Sequence, residues 1–164
     1  MNKIAQLPVQ QIALATAAVA GPHTSQPVAR ASAQVLIQAP IERVWHLLTN
    51  VDGWPAWNRD VDAAALDGRF VPGSVFRWKS QGFGITSTVC AVEVNQRITW
   101  TGVALGTKAF HAWEVQATDA GVLVSTSESF HGWLAWLLRG MMQRKLDATL
   151  PRWLASLKAA AEGG

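Results

Sequence analysis

The chain of 164 residues has no tyrosine, a single cysteine and few charged residues. Because Cys90 has no partner, an internal disulfide is excluded, and with it the disulfide-rich scaffold of small secreted domains. The four histidines, His23, His46, His111 and His131, show no spacing typical of a zinc site, so we predict no metal. A domain of this length can bury a full core without such cross-links.

The sequence also lacks several motifs of catalysis and cofactor binding. It contains no GxSxG nucleophile elbow, no GxGxxG turn and no Walker loop, and we predict no cofactor. Cys90 lies in an apolar stretch with strand character, where we expect a small apolar residue rather than an activated thiolate.

No hydrophobic run approaches the roughly 20 apolar residues of a membrane span. The run IALATAAVA, residues 12–20, ends in AVA before Gly21, as a secretory signal would, but Pro8 and the glutamines around it favour a tail. We interpret residues 1–30 as an N-terminal extension and residues 31–164 as one domain. The expected location is cytoplasmic, with secretion or periplasmic export as the alternative.

Acidic and basic residues nearly balance within the predicted domain. All eleven acidic residues lie between Glu42 and Glu162, and the same span carries twelve of the fourteen basic residues. A balance so close to neutral gives no electrostatic footprint for nucleic acid, and no nucleic-acid partner is predicted.

The sequence is rich in tryptophan, with nine residues, and these large rings indicate wide apolar surfaces. Trp54 and Trp57 flank Pro55 in the polar stretch DGWPAWNRDV, where they either anchor a short helix to the core or close one end of a cavity. The stretch WLAWLL, residues 133–138, is apolar all round, which predicts a helix covered on more than one side.

A second interpretation of the same region is a surface that faces a membrane or a partner. It would consist of the apolar side chains of Trp133, Trp136, Met141 and Met142. The basic residues nearby favour anionic headgroups, although a solvated helix face explains them equally. These basic residues are Arg139, Arg144, Lys145 and Arg152.

Turn signals and periodicity divide the rest into one strand, two short helices, six strands and a C-terminal helical segment. SAQVLIQ is the first strand, APIERVWHLLTN the first helix, and GWPAWNRD the second. Short turns between the later strands predict an antiparallel meander. The final helical segment runs from Gly132 to about Ala161, and we expect Pro151 to form a kink or joint between two helices. The six later strand candidates are DAAALDG, SVFRWKS, GITSTVCAVEV, RITWTGVAL, TKAFHAWEVQA and VLVSTSESF.

Four stretches resemble the START-like (SRPBCC) superfamily, and more narrowly its polyketide cyclase/dehydrase and lipid-transport group. They are APIERVWHLLTNVDGWPAWN (39–58), PGSVFRWK (72–79), RITWTG (97–102) and LDATLPRWLASLKAAAE (146–162). The resemblance covers about residues 32–162. It implies an α+β helix-grip fold, in which a curved antiparallel sheet wraps around a long C-terminal α-helix, with two short helices after the first strand.

The resemblance also implies an apolar cavity between sheet and helix, so we predict binding of a hydrophobic small molecule such as a lipid, a polyketide or an aromatic metabolite. The predicted ligand-binding residues are Trp57, Phe76, Trp78, Trp100, His111, Trp113, Thr126, Glu128, Phe130, Leu134, Leu138 and Met141, with Leu146 facing the same space.

Members of this superfamily include cyclases, aromatases, carriers and co-chaperone-like proteins, so the fold alone assigns no chemistry. One alternative is a polyketide cyclase, aromatase or dehydratase in which Glu128 and His111 transfer protons. Another is that Glu128 pairs with Arg77 or Lys79 while His111 is a hydrogen-bonded wall residue. A third is a non-enzymatic protein-interaction module.

Overall fold

A computed structural model of the chain describes residues 26–163, so the predictions for residues 1–25 lie outside the described residues. The strand β1 begins at Ala29, and the Val28 N–H donates to the Phe130 carbonyl at 2.9 Å. The last two residues of the predicted extension therefore belong to the sheet. The elements are β1 (Ala29–Ile37), α1 (Ile41–Thr49), a 3₁₀ turn (Val51–Gly53), α2 (Trp54–Trp57), β2 (Ala63–Leu66), β3 (Val75–Ser80), β4 (Phe83–Glu93), β5 (Arg97–Ala104), β6 (Thr107–Thr118), β7 (Gly121–His131), α3 (Trp133–Leu137) and α4 (Arg139–Glu162).

The seven strands form one antiparallel sheet in the order β1-β7-β6-β5-β4-β3-β2. From β2 to β7 each strand pairs with the next along the chain, which confirms the predicted meander, and β1 pairs with β7. The turns at 81–82 and 105–106 and the start of α3 all lie at one end of the sheet. We call this the α3 end.

Helix α4 lies along β1 and is tied to it near both helix ends. The Gln143 side chain accepts from the Arg30 N–H at 3.1 Å and donates to the Arg30 carbonyl at 2.9 Å. Near the other end, Lys158 donates to the Leu36 carbonyl at 2.7 Å and Glu162 accepts from the Gln38 N–H at 2.6 Å. These bonds satisfy backbone groups on the free edge of β1, which would otherwise be open to strand pairing.

The apolar line of the C-terminal helix is buried as its 3.6-residue period predicts. Its members from Leu146 onward are at most a few per cent exposed, and they pack on the sheet. This line consists of Leu146, Leu150, Trp153, Leu154 and Leu157. The sheet, the long helix and the two short helices after β1 confirm the helix-grip fold.

The predicted joint at Pro151 is wrong, because Pro151 lies within the continuous helix α4. The buried neighbours Leu150 and Trp153 hold the helix against the sheet on both sides of the proline, so the lost N–H does not break it. The break lies instead at Leu138, between α3 and α4, where the backbone leaves helical geometry at φ −107° and ψ 23°.

The expectation that WLAWLL is covered on more than one side is also wrong. Ala135 is fully buried, but Trp133, Trp136 and Leu137 are 69%, 65% and 61% exposed. A single turn of helix at the end of a sheet can bury only the residues that face the strands.

Cys90 differs from its prediction as well. It lies in β4, as expected, but at a bulge between Val89 and Ala91, and its side chain is exposed. An extra residue on one strand turns its side chain out of the regular alternation, which the sequence pattern does not reveal.

We expect Trp153→Ala to lower the free energy of unfolding by about 3 to 5 kcal/mol, because it leaves a large cavity between α4 and the sheet. Trp136→Ala, the same substitution at an exposed position, should change it by less than about 0.5 kcal/mol. Urea denaturation of both variants measures the difference. Equal effects would contradict the assignment of Trp153 to the core.

Candidate functional site

Aromatic rings fill much of the space between the sheet and α4. The Trp153 ring centroid lies 5.5 Å from that of Trp78 and 5.9 Å from the His111 ring. It lies 6.2 Å from the Trp54 ring and 6.4 Å from the Trp113 ring. Trp153 therefore joins α4 to α2, β3 and β6 at one point.

Further rings complete this aromatic cluster. Trp54 packs edge-on against Phe76 at 5.4 Å, and Trp100 lies 5.7 Å from Trp54 and 4.8 Å from His111. Edge-to-face and offset contacts of this kind favour the cluster beyond the area that it buries. Their near-complete burial means that these rings contact one another rather than open space.

The structure separates the roles of Trp54 and Trp57. Trp54 is 2% exposed, and its Nε1 donates to the Leu48 carbonyl at 3.1 Å, so this ring anchors α2 to the core. Trp57 is half-buried and packs at the margin of the same core. Of the two, Trp57 is the one that a bound molecule could reach.

His111 and Thr126 form a buried hydrogen-bond chain on neighbouring strands. The Thr126 hydroxyl donates to the Ala112 carbonyl at 3.1 Å and lies 2.9 Å from His111 Nε2. Since a hydroxyl has one proton, His111 Nε2–H must be the donor to Thr126. In the neutral ring, Nδ1 then carries a lone pair, and this atom faces Glu128.

Glu128 lies beside His111 on β7, with its Oε1 3.7 Å from His111 Nδ1. Burial raises the pKa of the Glu128 carboxyl to about 7, and the Lys145 ammonium acts in the opposite direction. Burial also lowers the pKa of the His111 imidazole to about 3. Between these values both groups are predominantly neutral, so the contact is not an ion pair despite its length of less than 4 Å.

A neutral Glu128 is consistent with the positions of the protons in the hydrogen bonds between His111, Thr126 and Ala112. A protonated carboxyl presents a donor to the Nδ1 lone pair, whereas a carboxylate would place negative charge against it. The alternative pairing with Arg77 or Lys79 does not occur, since both are exposed on β3 and three strands separate β3 from β7.

Exposure increases along the inner face of β7 toward the α3 end. Val124 is fully buried and Thr126 is 2% exposed, but the Glu128 side chain is 14% exposed and Phe130 is half-buried. Glu128 thus lies at the boundary between the closed aromatic cluster and the partly exposed residues at the α3 end of β7.

The predicted ligand-binding residues fall into three groups by burial. Those in the closed cluster or its hydrogen-bond chain are Phe76, Trp100, His111, Trp113 and Thr126. Those that are half-buried are Trp57, Trp78, Glu128, Phe130, Leu134 and Leu138, while Met141 is exposed.

Two residues of this region were not among the predicted site residues. Trp153 contacts four members of the cluster, and its place on the inward line of the helix with Leu146 and Leu150 was a signal for it. Lys145 affects the pKa of Glu128 from α4, and the sequence indicated it only as part of a basic surface.

A separate groove of about 610 Å³ lies at the opposite end of the sheet and is open to solvent. Neither Glu128 nor His111 lines it. Its walls come from α1, the segment before β3 and the end of β4, namely Trp45, His46, Thr49, Asn50, Arg69, Phe70, Val71, Pro72, Val92 and Val94.

The family model described as polyketide cyclase/dehydrase and lipid transport matches residues 28–162. The chain belongs to this family. The match begins and ends within two residues of the sheet and α4, so it covers the whole helix-grip domain. No curated protein matches the chain at a significant level.

Solved structures support the same fold. A hypothetical protein from Helicobacter pylori superposes with a TM-score of 0.74 at 21% identity, over 99% of this chain and 98% of that one. A START superfamily protein from Mycobacterium smegmatis gives 0.70 at 16% identity, over 80% and 96%. A di-domain ARO/CYC protein of the steffimycin biosynthetic pathway gives 0.68 at 17% identity, over 80% of this chain and 50% of that one. At these identities the likeness shows the fold.

Membership in the polyketide cyclase/dehydrase and lipid-transport family supports a role in binding a hydrophobic ligand or processing a polyketide. Among residues 26–163, no helix is both long enough and apolar enough to cross a membrane. Within the same residues, no three side chains of His, Cys, Asp or Glu come together in a group that could hold a metal ion.

We expect Glu128→Gln to change the pH dependence of stability. The pKa of the Glu128 carboxyl is about 7 in the fold against an ordinary value of 4.5. The protonated carboxyl therefore contributes its full share to the free energy of unfolding below pH 4.5, and this share is lost as the pH rises to 7. The glutamine amide that replaces the carboxyl does not titrate, so the variant loses no stability at this position as the pH rises. Its free energy of unfolding relative to the wild type should therefore rise with pH across this window, by at most about 1.4 kcal/mol per pH unit.

Urea denaturation at a series of pH values measures this slope. The His111 contribution, which increases with pH between about 3 and 6.5, is present in both proteins and cancels in the comparison. Glu93→Gln, at an exposed carboxylate, is the matched control. Parallel curves for wild type and Glu128→Gln would show that the fold leaves the carboxyl pKa unshifted.

Proposed function

We propose that the protein binds a hydrophobic small molecule that carries a hydroxyl or carbonyl group, with this group at Glu128. The observation behind the proposal is a partly exposed carboxyl of raised pKa at the boundary of the closed aromatic cluster. A neutral carboxyl both donates and accepts a hydrogen bond, so it can bind either group without burying a charge.

The surroundings of Glu128 suit the apolar part of such a molecule. Phe130 follows Glu128 on the same face of β7, and Leu134 and Leu138 come next on α3 and at its end; all three are half-buried. Trp57 and Trp78 are half-buried rings that pack at the margin of the hydrophobic core. A pocket with apolar walls and one polar group that fixes orientation is the usual form of a small-molecule site.

An unpaired indole donor supports the presence of oxygen in the ligand. Among the described residues, Trp57 is a half-buried ring whose Nε1 atom is buried and has no hydrogen-bond partner within the protein. A buried N–H without an acceptor is costly, so an oxygen atom of a bound molecule would stabilise it. The proposed ligand is therefore oxygenated as well as apolar.

The chemistry can be tested with 1-naphthol and naphthalene, which differ by one hydroxyl. Calorimetric titration of the full chain should show tighter binding of 1-naphthol, and Glu128→Leu should reduce this preference about five- to tenfold because one hydrogen bond is lost. Glu114 lies on the opposite face of β6 from His111, so Glu114→Leu is the matched control. The same weak affinity for both compounds in the wild type would overturn the proposal.

A second candidate function is proton transfer to and from a polyketide-like chain, as in a cyclase, aromatase or dehydratase. The observation that favours it is the pKa of Glu128, about 7, since a general acid or base works best near the ambient pH. His111 would then act as a positioning residue, with its Nδ1 lone pair 3.7 Å from the Glu128 carboxyl, rather than as a group that ionises.

The measurement for this candidate is deuterium exchange at the central carbon of a naphthyl 1,3-diketone, followed by NMR. Above pH 7 the Glu128 carboxylate would take a proton from this carbon to give the enolate, and a deuteron would return to it. Glu128→Gln should slow exchange on the order of 100-fold while binding of the diketone is retained. Unchanged exchange with unchanged binding would leave a carrier as the function.

A further inference from the structure

An exposed apolar surface covers the α3 end of the sheet. Six large side chains there are each about half exposed or more, which makes on the order of 500 Å² of apolar area, near the upper limit for the surface of a monomer. We call this set the end surface. It consists of Phe83, Leu105, Trp133, Trp136, Leu137 and Met141.

The fold holds the end surface in place. Gly132 has φ +111° and turns the chain sharply from β7 into α3, and a side chain there would meet the Gly106 carbonyl at 2.6 Å. A side chain at Gly106 would in turn lie 2.8 Å from Trp133 Nε1, so the Trp133 ring packs directly on the turn at 105–106. With Ala135 fully buried, α3 has its indoles fixed outward.

Basic residues are concentrated beside α3 and in the first turns of α4. Residues 129–146 contain Arg139, Arg144 and Lys145 and no acidic residue, and the acidic residues Glu128 and Asp147 flank this segment. Met141 precedes Arg144 and Lys145 by three and four positions, so the three share a face of α4. Lys145 Nζ lies 5.6 Å from the Phe83 ring centroid, which brings cation and apolar surface together.

Two acidic residues near this end, Asp60 and Asp62, already have partners within the protein. Asp60 accepts from Arg152 at 3.2 Å, and Asp62 accepts from the Gly82 N–H at 2.8 Å. A second copy of the chain is a poor occupant, because a symmetric contact would set the cations at 139, 144 and 145 of each copy against those of the other.

We propose that the end surface docks on the surface of an anionic phospholipid bilayer. Indole rings favour the membrane interface, where the ring is apolar and the N–H stays hydrated. Arginine and lysine beside them meet the lipid phosphates, and each contributes about fivefold in affinity at an anionic surface. Docking in this way is peripheral, with α3 lying in the interface plane.

Co-sedimentation of the full chain with vesicles tests the proposal. One set is phosphatidylcholine alone, and the other has one part phosphatidylglycerol to three parts phosphatidylcholine. We expect the anionic vesicles to bind at least about tenfold more tightly. The double substitution Trp133→Ser/Trp136→Ser should lower binding to them by at least about tenfold, because two indoles no longer insert.

The double substitution Arg139→Gln/Arg144→Gln tests the role of the basic residues. It should remove most of the preference for anionic vesicles, because each lost charge lowers the affinity for them about fivefold. The matched controls lie at the opposite end of the sheet: Val94→Ser, 67% exposed, and Arg69→Gln. Both should bind vesicles as the wild type does. Circular dichroism and urea denaturation verify that each variant is folded.

Three results would overturn the proposal. The first is binding to anionic vesicles that is equal in the wild type and in Trp133→Ser/Trp136→Ser. The second is a dimer in sedimentation equilibrium that this double substitution dissociates, with no vesicle binding, which would assign the end surface to a second copy. The third is loss of vesicle binding after Leu14→Asp, which would assign the binding to the apolar run at residues 12–20 rather than to the end surface.

Discussion

The contact of Trp153 with the rings of α2, β3 and β6 is the interaction on which the rest of the structure depends. It joins the long helix to strands that are distant from its own attachment at β1. Through Trp54 it also fixes the short helix after the 3₁₀ turn. Removal of this ring would leave α4 connected mainly along one edge of the sheet, where hydrogen bonds to β1 hold it.

The chemistry of Glu128 follows from the same packing. Because the rings exclude water around His111, the imidazole stays neutral and its Nδ1 lone pair faces the carboxyl. Exclusion of water also raises the pKa of the carboxyl, while its position at the margin of the cluster leaves it within reach of a bound molecule. One core thus supports the helix and tunes the only carboxyl of the described residues with a strongly raised pKa.

The two ends of the sheet differ in what they present. The α3 end carries exposed indoles, cations and the accessible side of Glu128, and the opposite end carries an open groove. If a bilayer covers the end surface, the same end would place Glu128 close to a source of apolar molecules. The ligand-binding proposal and the docking proposal are separate, since one is read from naphthol binding and the other from vesicle binding.

The sequence by itself determined the order of the elements and the inward line of the last helix, because both follow from local periodicity and from turn residues. It determined the fold class through the resemblance of four stretches to the START-like superfamily. It also indicated the shared face of His111 and Trp113, and of Thr126 and Glu128, since alternation along a strand has a period of two. These patterns depend only on neighbours in the chain.

Only the tertiary structure decided which rings contact one another, where the helix breaks and which apolar residues stay uncovered. Pro151 continues a helix because buried residues on both sides hold it, and Trp133 and Trp136 remain exposed because no strand lies opposite them. The pKa of Glu128 and the orientation of Cys90 depend likewise on the burial of one group and on a bulge in one strand. Such outcomes arise from contacts between residues that are distant in sequence, and no local pattern carries them.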